Sequence, residues 1–312
     1  MIVTLLSELF EREETDRLAL LGIMDGGRQR YRVQLRPAYR AKGDQPFHQW
    51  LNRQDPDLQK RILPVFERGL RERDFGPAPM IDVHCFGRDE WQNDPKKVPI
   101  RLCIDTAAEV LIRPLRLLLE NGRNDWGFLD KVVPDEWKDR WQKAVRSGWI
   151  EQDVGGGITE LRKFIETHVA TNEPRRLRTW VMFDSDGDAP TKPSRDAEDI
   201  RNACQEWLIA HHLLYRRAIE NYIPNETLDE WVSRQTAAQR AQAAAAVRTY
   251  ARLGPNARHF YNLKKWISTD LAPHIWGYDS ASKPYETLEP ALASETFEGE
   301  RSAIFQSIFA ML

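Results

Sequence analysis

Five residues, Asp184-Ser185-Asp186-Gly187-Asp188, set three carboxylates at alternate positions directly after the apolar run Trp180-Val181-Met182-Phe183. Carboxylates this close repel one another, and each desolvated anion is costly unless a cation lies among them. A divalent metal ion is the usual solution. All-oxygen donors of this kind suit magnesium or manganese. If the apolar run is a buried parallel strand, the acids emerge at its carboxyl end, where open α/β sheets keep their ligand sites.

The acidic turn admits other readings. A calcium EF-hand loop requires Gly at its sixth position and Glu at its twelfth, where this chain has Ala189 and Arg195. A haloacid-dehalogenase nucleophile motif continues with Thr or Val where this chain has Asp188. A metal pair formed by Asp184 and Asp186, with Asp188 as an extra ligand or loop cap, competes with a plain solvated turn. Asp105 and Glu109 form a second acidic pair. Their spacing of four residues puts both on one side of a strand-to-helix junction. An N-cap role for Asp105 is the alternative there. The stretch Tyr215-Arg216-Arg217-Ala218-Ile219-Glu220-Asn221-Tyr222 supplies another acid and two arginines able to bind phosphate or the acid cluster.

The elements that must position these residues follow from periodicity. Residues 100–104 read as an apolar strand, 106–120 as a helix, and 135–147 as a helix with Trp137, Trp141 and Val145 on one face. Residues 149–154 read as a strand followed by Gly155-Gly156-Gly157, then come a helix at 159–168 and the strand at 178–183. A helix at 196–210 and a short strand at 212–215 complete the alternation. Strands separated by helices predict parallel pairing with right-handed crossovers. Upstream, 29–35 and 80–85 read as strands and 47–71 as a helix. His48 and His84 stand alone, and the turn-rich 88–97 reads as a boundary. Downstream, Thr227 and Glu230 form a capping box for a helix running to about 253, where Gly254-Pro255 stops it. A helix at 261–270 and an apolar docking helix around Ile304 to Phe309 end the chain.

The ordered set Asp105-Thr106-Ala107-Ala108-Glu109, Gly155-Gly156-Gly157, Asp184-Ser185-Asp186 and Arg217-Ala218-Ile219-Glu220-Asn221-Tyr222 resembles the Toprim fold, in the branch of OLD-family nucleases and related phage-defence effectors. That family carries a Glu-Gly-x-x-Asp/Glu pattern after its first strand, and Asp105 and Thr106 depart from it. The resemblance covers about 98–225. It implies an α/β, Rossmann-like parallel sheet flanked by helices, with an α+β region at 1–97 and a helical region at 226–312. It further implies a magnesium- or manganese-dependent endonuclease with two ions held by Asp105, Glu109, Asp184, Asp186 and Glu220. A charge-stabilising lysine would come from Lys264 or Lys265, with Lys192 as a competitor. The implied substrate is DNA or RNA, and the implied setting is the effector of an anti-phage system, with possible oligomers. A degenerate Toprim module that binds nucleic acid or a partner is the alternative. No GxxxxGK[ST] loop is present, so any ATPase would be a separate subunit.

Composition sets the frame. The 312 residues are 41% hydrophobic and 29% charged with a net charge of −2, so nucleic-acid binding would need a local basic patch rather than overall charge. Cys85, Cys103 and Cys204 are scattered and form no CxxC pair, which argues against a disulfide framework or a structural zinc. No apolar run of membrane-spanning length and no signal-peptide pattern is found, so a cytoplasmic protein without membrane contact is expected.

Overall fold

The computed structural model describes residues 1–11, 17–38, 45–71, 78–85, 87–91, 99–189, 192–223, 225–265 and 297–312. Among these, eight strands form two four-stranded parallel sheets. The first contains β1 (Ile2–Leu6), β2 (Arg32–Arg36), β3 (Met80–His84) and β4 (Ile100–Cys103), in the order β2-β1-β3-β4. The second contains β5 (Leu115–Leu119), β6 (Ile150–Val154), β7 (Thr179–Phe183) and β8 (Ala210–Leu213), in the order β6-β5-β7-β8. The architecture is α/β, two Rossmann-like parallel sheets flanked by helices.

Helices α1 (Glu8–Glu11), α2 (Arg17–Gly27), α3 (Pro46–Asn52), α4 (Pro56–Arg71) and α5 (Ile104–Ile112) belong to the first sheet. Their apolar residues join Val3, Leu5, Val33, Leu35, Ile81, Val83 and Leu102 in one core. The opposite face of that sheet is polar, because the strand register aligns Gln34, Thr4, Asp82 and Arg101 in one row. Arg36 reaches across β1 to Asp82 at 2.6 Å.

The second sheet is covered on both sides, as parallel sheets usually are. Leu117, Leu119, Trp180 and Met182 face a core built with α6 (Gly122–Val132), α7 (Lys138–Arg146), α11 (Asn225–Arg234), α12 (Ala237–Ala251) and α14 (Phe297–Met311). Leu118, Val181 and Phe183 face α8 (Ile158–Phe164), its π-helical continuation Ile165–Val169, and α10 (Arg195–Glu206). Two short helices, α9 (Glu173–Arg176) and α13 (Pro255–His259), complete the described elements used below. Arg178, buried at the start of β7, donates to the carbonyls of Arg113 and Met311 and so ties the link between the sheets to the carboxyl-terminal helix. No helix among the described residues is long and apolar enough to cross a membrane.

Several expectations change. The helix expected at 106–120 ends at Ile112, and Leu115–Leu119 is a central strand. Pro114 causes this: a residue before proline is pushed extended, and Arg113 has φ −63 and ψ 143. The run Leu115-Arg116-Leu117-Leu118-Leu119 has helical propensity, but pairing with β6 and β7 overrides it. The strand expected at 100–104 therefore does not open the second sheet. It pairs with β3 at the edge of the first. The first sheet's last strand thus lies beyond the boundary expected at 97/98, and residues 113–114 link α5 to β5, the first strand of the second sheet. The helix expected at 47–71 breaks at 53–55, and the one expected through 227–253 breaks at Gln235-Thr236. A 3₁₀ turn at Leu263–Lys265 replaces the start of the helix expected at 261–270, whose last five residues lie outside those described.

Candidate functional site

The carboxyl end of β5 delivers Glu120, and α6 starts two residues later at Gly122. A Cβ on Gly122 would meet Val154 Cγ2 at 2.4 Å and Gln152 Nε2 at 2.5 Å, so a side chain there would collide with β6. Asp125, buried in the first turn of α6, accepts from the Asn121 backbone N–H at 2.7 Å and holds this turn closed. The neighbouring strand β7 delivers Asp184, whose N–H donates to Glu120 Oε2 at 3.3 Å. β6 and β7 lie on opposite sides of β5, so these two acids flank the point where the strand order reverses, the crevice in which such sheets bind ligands.

Beyond Asp184 the loop is pinned from below. Ser185 Oγ donates to the Arg216 carbonyl at 2.9 Å, and Asp186 N–H donates to the Arg217 carbonyl at 2.9 Å. Asp186 has φ 45, a left-handed conformation that Asp tolerates better than bulkier residues. Asp188 turns outward to Arg217 Nη1 at 2.5 Å with its side chain 92% exposed, the loop-capping option for this acid.

The segment after β8 adds the remaining wall. In the 3₁₀ turn Ile219–Tyr222, Ile219 packs into the core and Glu220 faces Asp184. Asn221 Nδ2 donates to the carbonyls of Arg258 and Tyr261 at 3.0 and 2.9 Å. Those carbonyls belong to the connection that brings Lys264 into the site. Tyr222 Oη donates to the buried Glu300 of α14 at 2.7 Å, and Glu300 also accepts from Tyr215 N–H and contacts His212. Lys264 Nζ lies 2.5 Å from Asp184 Oδ2 and 3.9 Å from Glu220 Oε2.

Glu120, Asp125, Asp184, Asp186 and Glu220 are electrostatic neighbours, and Lys264 contacts two of them, Asp184 and Glu220. Burial pushes Glu120 up to about 8, and the Asp184 charge adds to it. Burial likewise pushes Glu220 up to about 7, against the pull of Lys264. Asp125 and Asp184 are raised in the same direction, again chiefly by burial. Burial alone would lower Lys264, but the charges of Asp184 and Glu220 more than offset it and hold the ammonium protonated. Acidic groups thus outnumber the one ammonium in a low-dielectric crevice, and the raised proton affinities relieve that imbalance by keeping some of them neutral.

Of the residues singled out from sequence, Asp184, Asp186, Glu220 and Lys264 come together here. Lys265 is adjacent and exposed, and Lys192 is exposed in the loop that closes over Gly187. Arg216 is buried under the Tyr222 ring at 4.5 Å and bonds the Asn221 carbonyl, so it shapes the turn and does not face the crevice. Asp105 and Glu109 are not brought here. Both are exposed on α5 in the first sheet's unit, and Glu109 pairs with Arg113. Sequence reasoning missed Glu120 and Asp125. The signal was present: Pro114 ends a helix, an apolar run follows, and Glu120-Asn121-Gly122 closes it.

The donor set suits a hard divalent ion. It is made entirely of carboxylates, and Glu220 Oε2 is buried without a hydrogen-bond partner. In the present arrangement, no three acidic, histidine or cysteine side chains among the described residues close around one point. Lys264 stands among them instead. No family model, no curated protein and no solved structure matches this chain.

Proposed function

We propose that the chain is a Toprim-type, magnesium- or manganese-dependent nuclease that hydrolyses phosphodiester bonds at the crevice between β5 and β7. The observation carrying this reading is the excess of buried carboxylates, Glu120, Asp125, Asp184 and Glu220, over the single ammonium of Lys264. The order of the pieces supports it. Glu120-Asn121-Gly122 and Asp125 follow the first strand of the second sheet, Gly155-Gly156-Gly157 the second, Asp184-Ser185-Asp186 the third, and Ile219-Glu220-Asn221-Tyr222 the fourth. Relative to the Toprim pattern, Asn121 is one inserted residue.

On this reading Glu120, Asp184, Asp186 and Glu220 hold the ions, and Asp125 fixes the turn that aims Glu120. The ions would polarise the phosphoryl group and make water a competent nucleophile at neutral pH. Lys264, released from Asp184, reaches a non-bridging phosphate oxygen and offsets the charge that develops there.

The test is cleavage of plasmid DNA and of RNA with magnesium or manganese. Glu120→Gln and Asp184→Asn each lower the rate on the order of 10²–10³-fold or more. Asp105→Asn and Glu109→Gln leave it unchanged. Equal cleavage by wild type and Asp184→Asn rejects the assignment. One observation favours a second reading, a non-catalytic module: Lys264 already pairs with Asp184 and needs no ion to do so. That reading holds if no cation raises cleavage above background while Lys264→Ala lowers stability.

A further inference from the structure

From Trp231 to Lys265 the chain runs 35 residues with five arginines and two lysines and not one Asp or Glu, in a protein whose net charge is −2. The chain carries this stretch from α12 through α13 to Lys264, which pairs with Asp184 in the acid crevice. α12 buries Ala243, Ala246, Val247 and Tyr250 against the second sheet's core. Its outer face, continued by the C-cap Arg252, exposes Arg248 among alanines, Gln242 and Thr249, while Arg240 donates to the carbonyls of Ser233 and Gln235 at the end of α11. Arg248 and Arg252 are four residues apart, a like-charged spacing that weakens a helix unless an outside partner absorbs it. The helix C-terminal dipole offsets part of that repulsion. α12 is about 22 Å long, enough to follow several phosphates of a nucleic-acid strand. Beyond it, α13 is bonded directly to the site: the Asn221 amide holds Arg258 and Tyr261, and Arg217 N–H donates to the His259 carbonyl at 3.0 Å. The path then reaches Lys264 and the exposed Lys265.

We infer that the outer face of α12 and its C-cap, with Arg248 and Arg252, together with Lys265, binds the phosphate backbone of nucleic acid and leads it to the crevice. Charge complementarity names the partner class. An anionic membrane is disfavoured because no large apolar side chain is exposed on this stretch among the described residues, and an interfacial helix needs an apolar face to insert. The inference takes its direction from the nuclease reading, but its test does not depend on catalysis.

Binding of labelled DNA and RNA oligonucleotides is measured by fluorescence anisotropy across a salt series in EDTA, where metal-dependent cleavage cannot occur. Arg248→Ala/Arg252→Ala, on exposed positions, keeps the wild-type melting curve. It weakens binding about tenfold or more at low salt, and it flattens the slope of log K against log salt by about 1.4 for a single strand, at about 0.7 per phosphate contact. Arg248→Lys/Arg252→Lys restores most of the slope. Unchanged affinity and slope in the double alanine variant overturn the inference. So does absence of binding by the wild-type chain, or tighter binding to phosphatidylserine vesicles than to oligonucleotides. Binding without cleavage by the wild-type chain removes the nuclease reading and leaves this surface standing.

Discussion

Both sheets run parallel in the same strand order, with the second strand on one side of the first and the third and fourth on the other. Both close the crevice between first and third strands in the same way. Cys85 N–H, after β3, donates to Glu8 Oε1 at 3.2 Å, and Asp184 N–H, after β7, donates to Glu120 Oε2 at 3.3 Å. From there they diverge. At the first sheet, Asp89 is satisfied by Cys103 N–H and Thr106 Oγ1, both at 2.8 Å, so its charge is absorbed by the protein. At the second, Asp184 and Glu220 share one ammonium with Glu120 and Asp125 beside them, and Glu220 Oε2 is buried without a hydrogen bond; the corresponding orphan oxygen of the first sheet, Asp82 Oδ1, belongs to a carboxylate already paired with Arg36. A shared fold supplies the crevice. Whether the anions around it are already neutralised decides whether it is equipped for chemistry.

The sheets also differ in how they are buried, and the largest expected effect tests this. Trp180, fully buried with its Nε1 on Ser307, should cost about 3–5 kcal/mol when changed to Ala. Gln34→Ala on the polar face of the first sheet, which removes one bond to Thr4, should cost about 1 kcal/mol. Urea midpoints decide. A cost for Gln34→Ala equal to that for Trp180→Ala would mean that the polar face carries a second core.

A pH titration of stability is the next contrast. Glu120 and Glu220 titrate at about 8 and 7 in the folded chain, above their ordinary 4.5. Between 4.5 and those values the folded state holds protons that the unfolded chain has released, so stability falls as pH rises through the window, by several kcal/mol. If the acids hold magnesium as proposed, the ion takes their deprotonated form and should recover stability at the alkaline end more than at the acidic end. Urea midpoints that rise with pH in EDTA would remove the second crevice from consideration as an uncompensated anionic site.

The smallest contrast sets one acid against the other. Glu220→Gln removes a buried charge and should stabilise the metal-free chain by about 1 kcal/mol at pH 8 while reducing cleavage. Glu8→Ala strands the Cys85 N–H and should destabilise by about 1–2 kcal/mol. Melting temperatures that move in the same direction for both would erase the distinction between the crevices.

The sequence located the pieces whose signals are local. The strand at β7 is apolar on both faces, the acids end it abruptly, and the turn Ile219–Tyr222 follows the next strand at short range. It misplaced the partner of Asp184 because helix propensity in Leu115–Leu119 masked a central strand. An acid pair four residues apart, Asp105 and Glu109, then offered a substitute. Lys264, some 80 residues from Asp184, was reachable from sequence only as one lysine among several.

Residue order alone thus determined that this chain alternates strands and helices, that an oxygen-rich cluster follows β7, and that the stretch 231–265 carries only positive charge. Only the tertiary structure decided which strand is β7's neighbour, and so which acids share its crevice. Strand pairing is a long-range choice, settled by burial of Leu117, Leu118 and Leu119 between two helical layers and not by any preference of those residues themselves.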